Sequence, residues 1–109
     1  MEIKDKIVIS KDFTDTPGAR FKSEGDFSGE EFLESILLPR FNKAVKEKYI
    51  LLINLDNVWG YPSSFISGSF GILSTEKGKD LVLNHIKFES ENKTKIEKFI
   101  EEIKNPQGK

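Results

Sequence analysis

Two adjacent serines, Ser63 and Ser64, stand where a polar loop gives way to a glycine-rich segment. A serine in the first turn of a helix meets unpaired backbone N–H groups and the positive end of the helix dipole. A phosphate carried there is stabilised and adds about −2 charge at pH 7. The plainer role is N-capping, worth ~1 kcal/mol, which suits Ser63 and leaves Ser64 a bystander. Asp56 closes the apolar run Tyr49–Leu55 and could position a ligand or a metal ion; beside Asn57 it also suits an Asx turn. Arg20, in Pro17-Gly18-Ala19-Arg20, carries the fork that grips phosphate or carboxylate. Its simpler use is an ion pair with Asp15, Glu24 or Asp26. Trp59 and Tyr61 share the loop after Asp56. Aromatics there either anchor a partner or fold back over the helix that follows.

Ser64, His85 and Asp56 could be written as a catalytic triad, but the surroundings argue against it. The nucleophile elbow G-x-S-x-G is missing: Ser69 has Gly71 after it, but Ser67 stands where the first glycine belongs. His85 falls in a segment that reads as a strand. Neither phosphate-binding glycine fingerprint, G-x-x-x-x-G-K-[ST] or G-x-G-x-x-G, occurs. With no cysteine and one histidine, thiolate and multi-histidine metal sites are excluded. The expectation is a chain that is not an enzyme and holds no cofactor or metal. Lys+Arg of 17 against Asp+Glu of 18 gives a net charge of −1, which lacks the basic field of a nucleic-acid binder. The longest apolar run, Ile50–Ile53, falls far short of the ~20 residues of a membrane span. Met1–Ser10 has no apolar signal-peptide core. A cytoplasmic protein is expected.

The elements that must position these residues alternate in type. Ile3, Ile7, Val8 and Ile9 mark a first strand, and the turn-rich stretch Asp12–Phe27 a loop. Ser28 and Glu31 form a capping box at the start of a helix. The apolar stripe of that helix resumes in phase beyond Pro39, so one kinked helix to about Lys48 is predicted. Tyr49–Leu55 reads as a strand buried on both faces. Ser63–Lys77 is predicted to be a helix despite its serines and two glycines, Gly68 and Gly71, which would let it pack close to the sheet. Gly78 stops it. Leu81–Phe88 is read as a strand and Asn92–Lys104 as a helix, with Ile96, Phe99, Ile100 and Ile103 on one face. Alternation of this kind predicts one α/β domain over residues 1–109, with a mostly parallel sheet and its binding edge at the strand carboxyl ends.

The stretch Ile50–Leu73, ILLINLDNVWGYPSSFISGSFGIL, resembles the core of STAS domains, the bacterial anti-sigma-factor antagonists. There too a buried strand leads to a serine pair at a helix start, and one serine is phosphorylated by a partner kinase. By that resemblance Ser64 is the phosphoacceptor, with Ser63 its neighbour. The chain departs from the antagonists at Pro62, where they usually carry aspartate, and at Phe65, where they usually carry a small residue. Thr16–Phe21 (TPGARF), Ser28–Phe32 (SGEEF), Pro39, Ser63–Phe65 (SSF) and Phe70-Gly71 are similar in order and spacing to the STAS-like domains of unknown function. The resemblance implies a STAS-like sheet, mixed but mostly parallel, with helices packed against it. It implies a non-enzymatic signalling module that docks a protein partner along an edge made by Asp56, Asn57, Trp59, Tyr61 and Phe65. The implied partner has a histidine-kinase-like ATP-binding fold. The same edge could instead serve a small-molecule or nucleotide sensor.

Overall fold

The computed structural model describes residues 1–107. Three strands, β1 (Ile3–Val8), β2 (Ile50–Asn54) and β3 (Ile86–Glu89), form one sheet in the order β1-β2-β3. Both pairings are parallel, with Val8 opposite Asn54 and Asn54 opposite Glu89 at the carboxyl ends. A strand order that steps one way, joined by right-handed crossovers, lays the connecting helices on one face. The back face remains polar: Lys6 Nζ lies 2.7 Å from Glu89 Oε2, and Asn54 Nδ2 donates to the same oxygen at 2.8 Å. The reading of β2 as buried on both faces is therefore corrected, because Leu52 and Asn54 are only half-buried. The outer edge of β1 is closed chemically. The N–H groups of Lys6 and Val8 donate to Asp5 Oδ1 at 2.8 Å and Asp12 Oδ2 at 2.7 Å, which blunts strand addition there. No helix is long and apolar enough to cross a membrane.

Helix α1 is a single turn, Ile9–Asp12, which ends the first strand one residue before Ile9. Helix α2 runs over 29–47 without a break. It contains a π turn, Leu33–Leu37, in which Leu38 N–H reaches back to Leu33 O. That turn immediately precedes Pro39, whose missing donor would otherwise interrupt the helix. Leu38 accordingly keeps helical angles, and Lys48, with φ 61°, ends the helix in the left-handed region. Helix α3 covers 63–77 and carries a second π turn, Ser67–Gly71. Helix α4 is Lys79–His85 and α5 is Lys93–Lys104.

The Leu81–Phe88 strand is thus corrected: its first half is helix and only Ile86–Glu89 is strand. Gly78 explains the change. It stops α3 and at once accepts the N–H of Val82 at 3.2 Å, which starts α4.

Phenylalanines tie the helices together over the sheet. Phe32 meets Phe65 at 5.7 Å and Phe70 at 6.0 Å, and Phe70 meets Phe99 at 5.2 Å. Ile7, Leu51 and Ile53 lie fully buried beneath them. Two glycines allow α2 and α3 to cross at backbone contact. A Cβ on Gly29 would stand 2.5 Å from Phe65 O and 2.8 Å from Gly68 C. The expectation that Gly68 and Gly71 face the sheet is corrected as well. A Cβ on Gly68 would meet Arg20 O at 2.6 Å, and one on Gly71 would meet Glu102 Oε2 at the same distance.

Candidate functional site

The Thr16–Phe21 segment is a strap across the start of α2. Gly29 N–H donates to Ala19 O at 2.8 Å and Glu30 N–H to Arg20 O at 2.9 Å, while Glu31 N–H donates to Ser28 Oγ at 3.0 Å. Together these bonds satisfy first-turn donors that a helix cannot satisfy itself. Arg20 Nη1 donates to Ser67 Oγ at 2.5 Å, inside the π turn of α3. The ion pair expected for Arg20 with Asp15, Glu24 or Asp26 does not form. Its guanidinium braces the α2–α3 crossing instead.

At the carboxyl ends of the strands, Asp56 is committed to holding the chain together. Its own N–H donates to Asn54 Oδ1 at 3.0 Å. Its Oδ1 accepts Ser90 Oγ at 2.7 Å and Glu91 N–H at 3.1 Å. Ser90 Oγ then accepts Asn92 N–H, and Asn92 caps α5 through Thr94 N–H. The turn reading of Asp56 stands, extended by a clamp on the β3–α5 connection. Asn57 takes the left-handed conformation, φ 63°, that lets the loop reverse.

The loop then splits its aromatics between inside and outside. Val58 is buried as a plug, and Trp59 N–H donates to Asp15 O at 2.9 Å. With its backbone pinned, Trp59 still presents 87% of its surface to solvent. Tyr61 turns inward. Its hydroxyl donates to Leu55 O at 2.9 Å, and its ring lies edge-on to Phe99 at 4.9 Å. Burial, and then the negative charge of Asp56, push the phenol well above its ordinary range. Lys95 covers this ring, its Nζ 5.8 Å from the centroid and 3.5 Å from Val58 O. Tyr61 and Phe65 are therefore corrected from docking residues to core. Phe65 is fully buried because the inward face of the first turn of α3 packs on Phe32.

Ser63 is corrected from N-cap to first helical residue. Pro62 occupies the cap, and its carbonyl accepts Phe65 N–H at 3.0 Å and Ile66 N–H at 3.3 Å. Ser63 is exposed and Ser64 half-buried. Among the described residues neither hydroxyl, nor either backbone N–H, is engaged in a hydrogen bond. The structure does not join Ser64, Asp56 and His85. His85 Nδ1 sits 2.9 Å from Tyr49 O, ahead of β2, whereas Asp56 lies beyond its far end. At ~3.3 Å per residue, the seven residues from Tyr49 to Asp56 span about 23 Å.

A family model described as a STAS-like domain of unknown function matches residues 28–95, well over half of the chain. The chain belongs to this family. Among curated proteins and among solved structures, none matches it. The STAS-like match takes in α2, β2, α3, α4 and β3, and with them the loop bearing Trp59 and the serine pair. The bracing strap, Thr16–Phe21, precedes it.

The sequence gave no sign of one further feature, a groove of about 660 Å³ between the first turn of α3 and α5. Tyr61, Ser63 and Ile66 line one side, and Glu97, Lys98, Glu101 and Glu102 the other. The available signal was Glu102, three residues after Phe99 and beside Ile103, an acidic residue at the edge of the apolar stripe of α5.

Proposed function

We propose that this STAS-like chain is a non-enzymatic regulatory module that docks a protein partner through the loop at the carboxyl ends of β2 and β3. Trp59 is the anchor. The observation that carries the reading is the contrast within one loop: Val58 and Tyr61 are packed inward, the backbone of Trp59 is pinned to Asp15, and the indole alone points into solvent. A large aromatic held in place binds at little conformational cost, which suits an interface hot spot. Asn57 and Ser63 flank it on the exposed surface.

The switch, on this reading, is Ser64, with Ser63 as its neighbour. The free N–H groups of the first turn of α3 would receive a phosphate, and the added charge would change how a partner seats against Trp59. The partner class that follows from the family resemblance is a bacterial cytoplasmic protein with a histidine-kinase-like ATP-binding fold. The test is the affinity of that partner, purified from the source cells, for the wild type, Trp59→Ala, Ser64→Ala and Ser64→Asp. Trp59→Ala should weaken it by about 30-fold or more, the ~2 kcal/mol of a hot-spot residue. Equal affinity across all four proteins would remove both the anchor and the switch.

A further inference from the structure

We propose that the groove between α3 and α5 is a seat for an arginine side chain on the docked protein. This rests on the docking reading above and specifies the chemistry of the partner segment. At about 660 Å³ the groove is large enough for a whole side chain and its neighbours. Tyr61 and Ile66 give it an apolar floor, and Glu97, Glu101 and Glu102 a carboxylate wall, against Lys98 alone as a basic lining residue. Lys95 is drawn aside to the Tyr61 ring and Val58 O.

Glu102 decides the chemistry. It lines the groove yet is only 7% exposed, and it packs on the bare backbone of Gly71, where no side chain intervenes. Its Oε2 accepts Gln107 N–H at 2.9 Å, and among the described residues no cation pairs with it. A carboxylate withdrawn from water in this way is short of partners, so an incoming cation gains more from it than from an exposed carboxylate. Guanidinium suits the site better than ammonium. It is the more weakly hydrated, it pairs with carboxylates in a planar fork, and it lies flat on aromatic rings such as Tyr61. The same carboxylates repel phosphate, which sets this groove against the nucleotide-sensor expectation. Ser63 lines its mouth, which joins the groove to the Trp59 surface.

The probe is a short peptide alternating leucine and arginine, compared with its twin in which neutral citrulline replaces arginine. Both are titrated into the isotope-labelled full chain at physiological salt. The arginine peptide should shift the amide resonances of Ser63, Ile66, Thr94 and Glu101. The citrulline twin should bind roughly 10-fold more weakly or worse, as the loss of a charge-assisted hydrogen bond implies. Glu102→Gln should weaken the arginine peptide alike. If that variant does not fold, the exposed pair Glu97→Gln and Glu101→Gln gives the same reading. Equal binding of the two peptides, shifts elsewhere on the surface, or a groove covered by a second copy of the chain would each overturn the proposal. Trp59→Ala separates it from the docking reading, since it should leave peptide binding unchanged while weakening the protein partner.

Discussion

Replacing Gly29 with alanine should be among the most damaging single-methyl additions to this chain. The new Cβ would stand 2.5 Å from Phe65 O, 2.8 Å from Gly68 C and 3.0 Å from Gly68 Cα. All three are backbone atoms, so no side chain can rotate away. Carbon–carbon contacts are optimal at ~3.5–4.0 Å, so α2 would have to move about 1 Å away from α3. That movement opens the Phe32–Phe65 contact and pulls the helix start off Ala19 and Arg20. Overpacking of this kind costs ~1–3 kcal/mol, and the better helix propensity of alanine returns at most ~1 kcal/mol. A net loss of about 2 kcal/mol lowers the melting temperature of a domain this size by roughly 8–16 °C. Gly60 is the control, with nothing within 4 Å of its Cβ position and no left-handed φ. Gly60→Ala should leave stability unchanged or raise it by ~0.4–1 kcal/mol. Urea and thermal unfolding followed by circular dichroism measure both. A Gly29→Ala protein within ~0.5 kcal/mol of wild type would refute the backbone-contact account of the α2–α3 crossing.

Arg20→Ala should cost ~1–3 kcal/mol in the same assay, because it leaves the buried Ser67 hydroxyl without its donor. Tyr61 has a folded pKa above the unfolded value of about 10, so its contribution to stability is whole below pH 10 and declines as pH rises past it. Tyr61→Phe should therefore flatten the alkaline fall in stability, at a cost of ~1 kcal/mol at neutral pH for the lost bond to Leu55 O. An alkaline limb as steep as that of wild type would show that another group causes the fall. Trp59→Ala should change unfolding stability by less than ~0.5 kcal/mol, as expected of an exposed side chain. A larger loss would make Trp59 a structural residue.

Periodicity made most of the elements legible. β2, α3 and α5 lie close to where the apolar patterns put them, and the in-phase stripe across Pro39 correctly announced one continuous helix. The Leu81–Phe88 segment failed because four closely spaced apolar residues suit either a strand or a short helix. Only the chain reversal at Gly78 decides between them. The STAS-like resemblance located the family, but the placement of individual side chains depended on contacts far apart in sequence. Tyr61 and Trp59 are two residues apart and go opposite ways, because Leu55 O offers Tyr61 a partner only after β2 is in the sheet. Arg20 finds Ser67, 47 residues away, rather than its acidic neighbours, because the strap must follow the start of α2. The groove beside Ser63 exists only once α5 has docked on α3.

Site-specific photocrosslinking in the source cells tests the docking claim most directly. A benzoylphenylalanine replaces Trp59 in one protein and Lys87, an exposed residue of β3 outside the docking loop, in another. The account predicts a single crosslinked protein with a histidine-kinase-like ATP-binding fold at position 59 and none at position 87. Crosslinks of equal yield from both positions, or none at position 59, would contradict it.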